Sequence, residues 1–311
     1  MKRFLLFVVS VLMANVLALV PAPTGARAAA APCGTLALSS THYTHVIWLW
    51  MENHSYDTII GPATGAPYIN SLAGQCGLAT NYHNVDHPSL PNYLGATSGL
   101  PFSALSPFVS DCSPSRKCST TAASIFSQVS WKAYQESMPS NCATKNSVTY
   151  AVRHNPPPYY KGLAGCATND VPFTRLSTDL AGNSLPAFSF ITPNLIDDMH
   201  DGTVPQGDLW LSQNVPTILN SAEYQAGNVA LFITWDEGEG GTVSDCATNT
   251  TDIGCHVATL VVTPSTVPGT RSATLFNHYS LLGSTEALLG ASNLAASDPA
   301  GTTSMLPAFN F

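Results

Sequence analysis

Three stretches of this chain place hard oxygen donors directly after apolar runs. His45–Met51 leads into Glu52-Asn53-His54-Ser55, and Val229–Trp235 leads into Asp236-Glu237-Gly238. Ala187–Thr192 is followed by Asn194 and then by Asp197-Asp198-Met199-His200-Asp201. Short continuous apolar runs rich in β-branched and aromatic residues read as strands covered on both faces. In open α/β sheets, ligands bind beyond the carboxyl ends of the strands. Glu52, Asn53, Asp236 and Glu237 offer only carboxylate or amide ligands, a set that suits a hard divalent cation (Mg²⁺, Ca²⁺ or Mn²⁺) better than a thiolate-seeking one. Taken singly, each acidic residue reads equally well as a solvated loop residue or a helix cap. The recurrence at three strand ends is what points to a site.

His87-Pro-Ser-Leu-Pro-Asn-Tyr-Leu94 adds a hydroxyl. Pro91 suits the first turn of a helix, which puts Ser89 at or beside its N-cap. Free backbone N–H groups and the helix dipole favour an anion there, and a nearby cation would activate the serine oxygen as a nucleophile. The alternative for Ser89 is a plain structural cap. Arg153-His154-Asn155-Pro156 sets a guanidinium, able to grip phosphate oxygens in pairs, beside a histidine able to protonate a leaving group; a surface loop pair is the alternative. His278, in Asn277-His-Tyr-Ser280, opens a helix where capping or packing is the competing role. His42, His45, His83 and His256 have no motif around them and read as structural.

These residues need a scaffold. A fourth apolar run, His256–Thr263, closes at Pro264, and helical spacing is expected over Pro91–Ser98, Ile125–Glu136, Val215–Tyr224 and His278–Leu289. Strands alternating with helices predict a layered α/β domain. The Ser- and Pro-rich stretch Ser103–Lys117 and the segment Asn155–Tyr160 read as loops over the sheet edge. Lys2 and Arg3, the apolar stretch Phe4–Val20 and the small residues of 25–30 have the layout of a cleavable export leader, which leaves residues 31–311 as one domain. No later span is long enough to cross a bilayer. Eight cysteines, all beyond the leader, read as disulfides, with pairing between neighbours (33–76, 112–118, 142–166, 246–255) the expectation from proximity alone. A net charge of −8 with only 11 Lys and Arg argues against a nucleic-acid partner.

Glu52-Asn53-His54-Ser55-Tyr56-Asp57, with Ile60-Gly61 after it, resembles the opening motif of the bacterial phosphoesterase family. That family includes non-specific phospholipases C and secreted acid phosphatases and is related to the alkaline phosphatase superfamily. The resemblance continues in the family's order through His87–Leu94, Arg153–Pro156, Asp198–Asp201, Thr234–Glu237 and Asn277–Ser280. It implies a three-layer α/β sandwich with a mostly parallel, alkaline-phosphatase-like central sheet. Metal ligands fall on Glu52, Asn53, Asp236 and Glu237, the nucleophile on Ser89, and catalytic histidines on His154 and His200. Arg153, His87, Asn92 and His278 are expected around the substrate, a small-molecule or lipid-headgroup phosphate ester. The chain is nearest the compact acid phosphatases, including those described as acting on phosphoinositides, and a secreted monomer without stable membrane insertion is expected. Competing readings are a phospholipase C-type diesterase, a serine carboxylesterase, against which the absence of Gly-x-Ser-x-Gly counts, and a secreted metal-binding protein without activity.

Overall fold

A computed structural model of the protein describes residues 31–241, 245–294 and 303–311, so the expected export leader at residues 1–30 lies outside the described residues. The four apolar runs are strands: β1 (His45–Met51), β5 (Phe188–Thr192), β6 (Val229–Trp235) and β7 (His256–Val262). Their residues are buried almost throughout, as continuous apolar runs require. Around them are β2 (Gly77–His83), β3 (Trp131–Gln135), β4 (Asp170–Pro172), β8 (Arg271–Ser272) and β9 (Phe276–Asn277). The order across the sheet is β4-β3-β5-β1-β6-β7-β2-β8, with β9 also on β2. Every pairing is parallel except those of β7 with β6 and β2. Strands β1, β2, β3, β5 and β6 therefore all end on the same side of the sheet, and the polar clusters after them meet there.

The helices are α1 (Tyr56–Ile59), α2 (Pro67–Gln75), α3 (Ser89–Ser98), α4 (Phe102–Leu105), α5 (Ile125–Gln128), α6 (Cys166–Asn169), α7 (Arg175–Ala181), α8 (Val204–Leu219), α9 (Ala222–Gln225) and α10 (His278–Leu289). α3 packs on α10, while α2, α7 and α9 pack on α8. The α3–α10 layer is locked by β1: Trp48 donates from Nε1 to Thr285 Oγ1 at 2.9 Å, and Trp50 lies against Tyr93 and His278 with ring centroids 4.9 and 4.6 Å apart. Truncating either buried indole would cost roughly 3–5 kcal/mol.

Two helical expectations are corrected. Ile125–Glu136 is not one helix: it stops at Gln128, and Trp131–Gln135 becomes β3, paired with β5 and β4. Sheet pairing on both sides outweighs a weak helical spacing. The helix expected over Val215–Tyr224 instead starts at Val204, where Thr203 and Gln206 form a capping box. It ends at Leu219, and Ser221 caps the separate α9. Ser103–Lys117 carries the short α4 and a 3₁₀ turn at Ser106–Phe108.

The four disulfides join Cys33–Cys76, Cys112–Cys118, Cys142–Cys166 and Cys246–Cys255, as neighbour pairing predicts. Cys33–Cys76 closes the largest loop, 43 residues in sequence separation. Loop-closure entropy assigns it about 4 kcal/mol. Replacing both cysteines with alanine should lower the denaturant midpoint accordingly, more than the same change at Cys112 and Cys118; equal effects in a urea titration would refute this. Among the described residues, no helix is long and apolar enough to cross a membrane.

Candidate active site

Met51 and Trp235 are register partners on β1 and β6, so Glu52 and Asp236, one residue further on, lie side by side. Asn53 has a φ of 50°, a left-handed conformation that asparagine tolerates. It turns the chain so that its own N–H donates to Asp236 Oδ1 at 3.1 Å. The N–H of Glu52 donates to the carbonyl of Asp198 at 2.9 Å, tying in the loop after β5. That loop is pressed onto α8 at Gly207, where an added Cβ would meet Met199 Cγ at 2.4 Å.

Ser89 is the first residue of α3, with Pro88 at the N-cap. Its hydroxyl lies 3.1 Å from Glu52 Oε2, to which it donates, and 3.5 Å from Glu237 Oε1. Tyr93, four residues on and so on the same helix face, donates to Glu52 Oε1. Glu52, Asp198, Asp236 and Glu237 are all buried. Burial, followed by the charges of Asp236 and Asp198, pushes Glu52 well above the usual carboxylate range. Burial raises Asp198 in the same way, and burial with the charge of Glu237 pushes Asp236 up to about 7. Asn53 Oδ1 and Asp236 Oδ2 are buried with no hydrogen-bond partner among the described residues. Oxygen donors without partners, in a pocket crowded with carboxylates, are the arrangement a cation satisfies.

The histidines differ sharply in their placing. His154 is 2% exposed, with Nε2 3.3 Å from Glu52 Oε2 and Nδ1 3.3 Å from Asp198 Oδ2. Burial, then the charges of Arg153 and His200, holds it well below the usual histidine range. His200 lies on the cleft wall, but both ring nitrogens are committed: Arg153 Nη2 donates to Nε2 at 2.8 Å, and Nδ1 meets Asp201 Oδ1 at 2.7 Å. His87 also lines the cleft, with Nδ1 2.5 Å from Glu237 Oε2 and Nε2 buried against Gly241 without a partner among the described residues. Burial pulls its pKa down, but the hydrogen bond and charge of Glu237, with Asp236 and Asp86, outweigh that and leave it raised.

Two residues expected around the substrate lie beneath the site instead. Asn92 is fully buried; its Oδ1 accepts from the N–H groups of Val85 and Asp86, and its Nδ2 donates to the Asp86 carbonyl. His278 is fully buried and bridges the Asp236 carbonyl, 2.7 Å from Nε2, and the Tyr82 hydroxyl, 3.1 Å from Nδ1. Both hold the loops that carry Ser89 and Asp236. The N-terminus of α3 is also less open than the sequence suggests, since Pro91 has no N–H and Leu90 donates to Asp111 Oδ1 at 2.9 Å. Tyr93, Asp198 and Asp111 are contributors that sequence reading did not single out. The four-residue spacing from Ser89 was available as a signal for Tyr93, and the strand-end cluster for Asp198. Asp111, in an irregular loop, had none.

The cleft over this cluster has a volume of about 300 Å³ and is lined by Asn53, His87, His200, Glu237 and the glycines after it. A family model described as Phosphoesterase family matches residues 62–291, just downstream of Glu52 and Asn53. A phosphatidylinositol-3-phosphatase of Mycobacterium tuberculosis is 31% identical over 261 residues, covering 83% of this chain and 80% of that protein. A phosphate-repressible acid phosphatase of Penicillium chrysogenum is 27% identical over 288 residues, and the match covers 88% of this chain but only 66% of that protein. A solved structure of a protein in the alkaline phosphatase superfamily from Vibrio parahaemolyticus superposes with a TM-score of 0.54 at 11% identity, covering 83% of this chain and 69% of that one. That likeness speaks to fold, and it agrees with the α/β architecture and mostly parallel sheet.

Proposed function

Given that the chain belongs to the phosphoesterase family, and so is a hydrolase of phosphoric ester bonds, we propose that it is a secreted phosphomonoesterase of acid phosphatase type with Ser89 as nucleophile. The observation that carries this is the position of Ser89 Oγ between Glu52 Oε2 and Glu237 Oε1, beside buried oxygens of Asn53 and Asp236 that have no partner among the described residues. Glu52, Asn53, Asp236 and Glu237 would hold a divalent cation. When bound, it would polarise a phosphoryl oxygen and lower the pKa of the serine hydroxyl.

The remaining chemistry belongs to the chain itself. The Ser89 hydroxyl donates to Glu52 Oε2, the carboxylate oxygen placed to take its proton on attack. Attack on phosphorus gives a phosphoseryl intermediate and releases the alcohol. Arg153, oriented by His200, presents its guanidinium to the phosphoryl oxygens. The proton for the leaving alcohol comes from His87, a ring at the cleft whose Nδ1 is held by Glu237 and whose Nε2 lies beneath Gly241. This reassigns a role that the motifs gave to His154 or His200. His154 is buried between two carboxylates, and His200 is engaged with Arg153 and Asp201. Water then hydrolyses the phosphoserine with His87 as base.

Two separate helix groups, α3 with α10 and α2, α7 and α9 with α8, support a three-layer arrangement. Four disulfides support export to an oxidising compartment. Action on phosphoinositides rests on the name of the mycobacterial relative alone.

The test is hydrolysis of p-nitrophenyl phosphate from pH 4 to 9, with and without chelator. Turnover should fall by about a hundredfold or more on chelation and return with a divalent cation. Turnover that ignores chelation refutes the cation. Turnover of a bis-ester such as bis(p-nitrophenyl) phosphate without turnover of the monoester would replace this reading with the diesterase.

A further inference from the structure

Beside the phosphate cleft lies a second cavity of about 360 Å³, lined by Asp86, His87, Phe102, Ser103, Ser106 and Val109. His87 is the wall that the two cavities share. The far wall is α4 and the turn after it, which pack against α3, so the Ser- and Pro-rich stretch has a place at the site. Ser103 and Ser106 are exposed, and Val109 is 46% exposed, which leaves the groove open to solvent on one side. Beyond the shared imidazole of His87 it offers two apolar side chains, two neutral hydroxyls and one carboxylate, with no Lys or Arg among its lining residues. Among the described residues, the Asp86 carboxylate accepts a hydrogen bond only from the adjacent His87 N–H, at 2.8 Å.

We propose that this groove receives the alcohol portion of the phosphomonoester and selects an uncharged, partly apolar alcohol over one that carries a second phosphate. The inference deepens the phosphomonoesterase reading and rests on it. With the phosphoryl group over Ser89, the ester oxygen faces the boundary between the cavities, where His87 stands, and the rest of the alcohol extends into the groove. An apolar or aromatic group there is desolvated against Phe102 and Val109. A second phosphate would lie over the buried Asp86, while the imidazole at the groove's edge, His87, is already paired with Glu237, so the contact is an unfavourable like-charge one.

Two substrate pairs of matched leaving-group chemistry test this on the full chain: 2-phenylethyl phosphate against ethyl phosphate, and propane-1,3-diol bisphosphate against propyl phosphate. The expected result is a kcat/KM about tenfold higher for phenylethyl than for ethyl, and about tenfold lower for the bisphosphate than for propyl. Ser106→Trp, which fills the groove, should bring the first ratio towards one. Val109→Lys, which adds a cation without a partner carboxylate of its own, should raise the second. Equal rates within both pairs, or preference for the bisphosphate by the unaltered protein, would overturn the proposal while leaving the phosphomonoesterase reading intact. No hydrolysis of any of the four esters would overturn both. If Ser106→Trp does not fold, the two ratios in the unaltered protein and the response of Val109→Lys still decide.

Discussion

Ser89→Ala is expected to lower kcat on p-nitrophenyl phosphate by about ten thousandfold or more, the scale seen when a covalent nucleophile is removed, with little loss of stability. The structural cost is small because the Ser89 hydroxyl makes one good hydrogen bond, to Glu52 Oε2. Glu52 keeps its other oxygen on Tyr93, so the change should be on the order of 1 kcal/mol. A serine that merely capped α3 would behave in the opposite way. Its removal would cost stability and leave turnover largely in place, but no side-chain cap hydrogen bond is made at this helix start. Acid quenching during turnover should also trap phosphate on Ser89 in the parent protein and none in the variant. Retained turnover in the variant, or phosphate trapped on another residue, would remove Ser89 from the mechanism.

The scaffold was legible where burial leaves a mark in composition. β1, β5, β6 and β7 are apolar along their length because nearly all their residues are buried, and His278–Leu289 is a helix over the range its spacing predicts. β2, with Thr80, Asn81 and His83, was not legible. Its place depends on pairing with β7, β8 and β9, residues far away in sequence. The same limit governs the site. Sequence spacing tells which residues arrive at a strand end, as it did for Glu52, Asn53, Asp236 and Glu237. It does not tell which way a side chain faces. Asn92 and His278 sit in the right segments yet point into backbone groups below the cleft. His154 and His200 arrive together, their ring centroids 5.6 Å apart, but one is walled in by carboxylates and the other engages Arg153. Contacts of this kind depend on loop conformation, and Asp111, which caps Leu90 from an irregular stretch, is the plainest case.

Asp236→Asn should change thermal stability in opposite directions with and without divalent cation. Asp236 is fully buried, and with no cation present burial and the charge of Glu237 push its pKa up to about 7. An unfolded aspartate titrates near 4, so between about pH 4 and 7 the folded state holds a proton that the unfolded state has released. The sign follows: with ν_U smaller than ν_N, the stability of the chelated protein falls as pH rises through this window. The penalty is absent below about pH 4 and complete above about pH 7, on the order of a few kcal/mol. Glu52 and Asp198, both raised, act in the same direction. An asparagine carries no such penalty and keeps an oxygen for the Asn53 N–H. The chelated variant should therefore melt higher than the chelated parent at pH 8, and the difference should vanish towards pH 4. With saturating cation the order should invert, because the parent gains binding free energy that the variant, short of one anionic ligand, largely loses. Metal content after dialysis should fall in parallel. A variant that melts lower than the parent in both conditions, or that retains the parent's metal content, would show that Asp236 is a structural carboxylate and not part of a cation site.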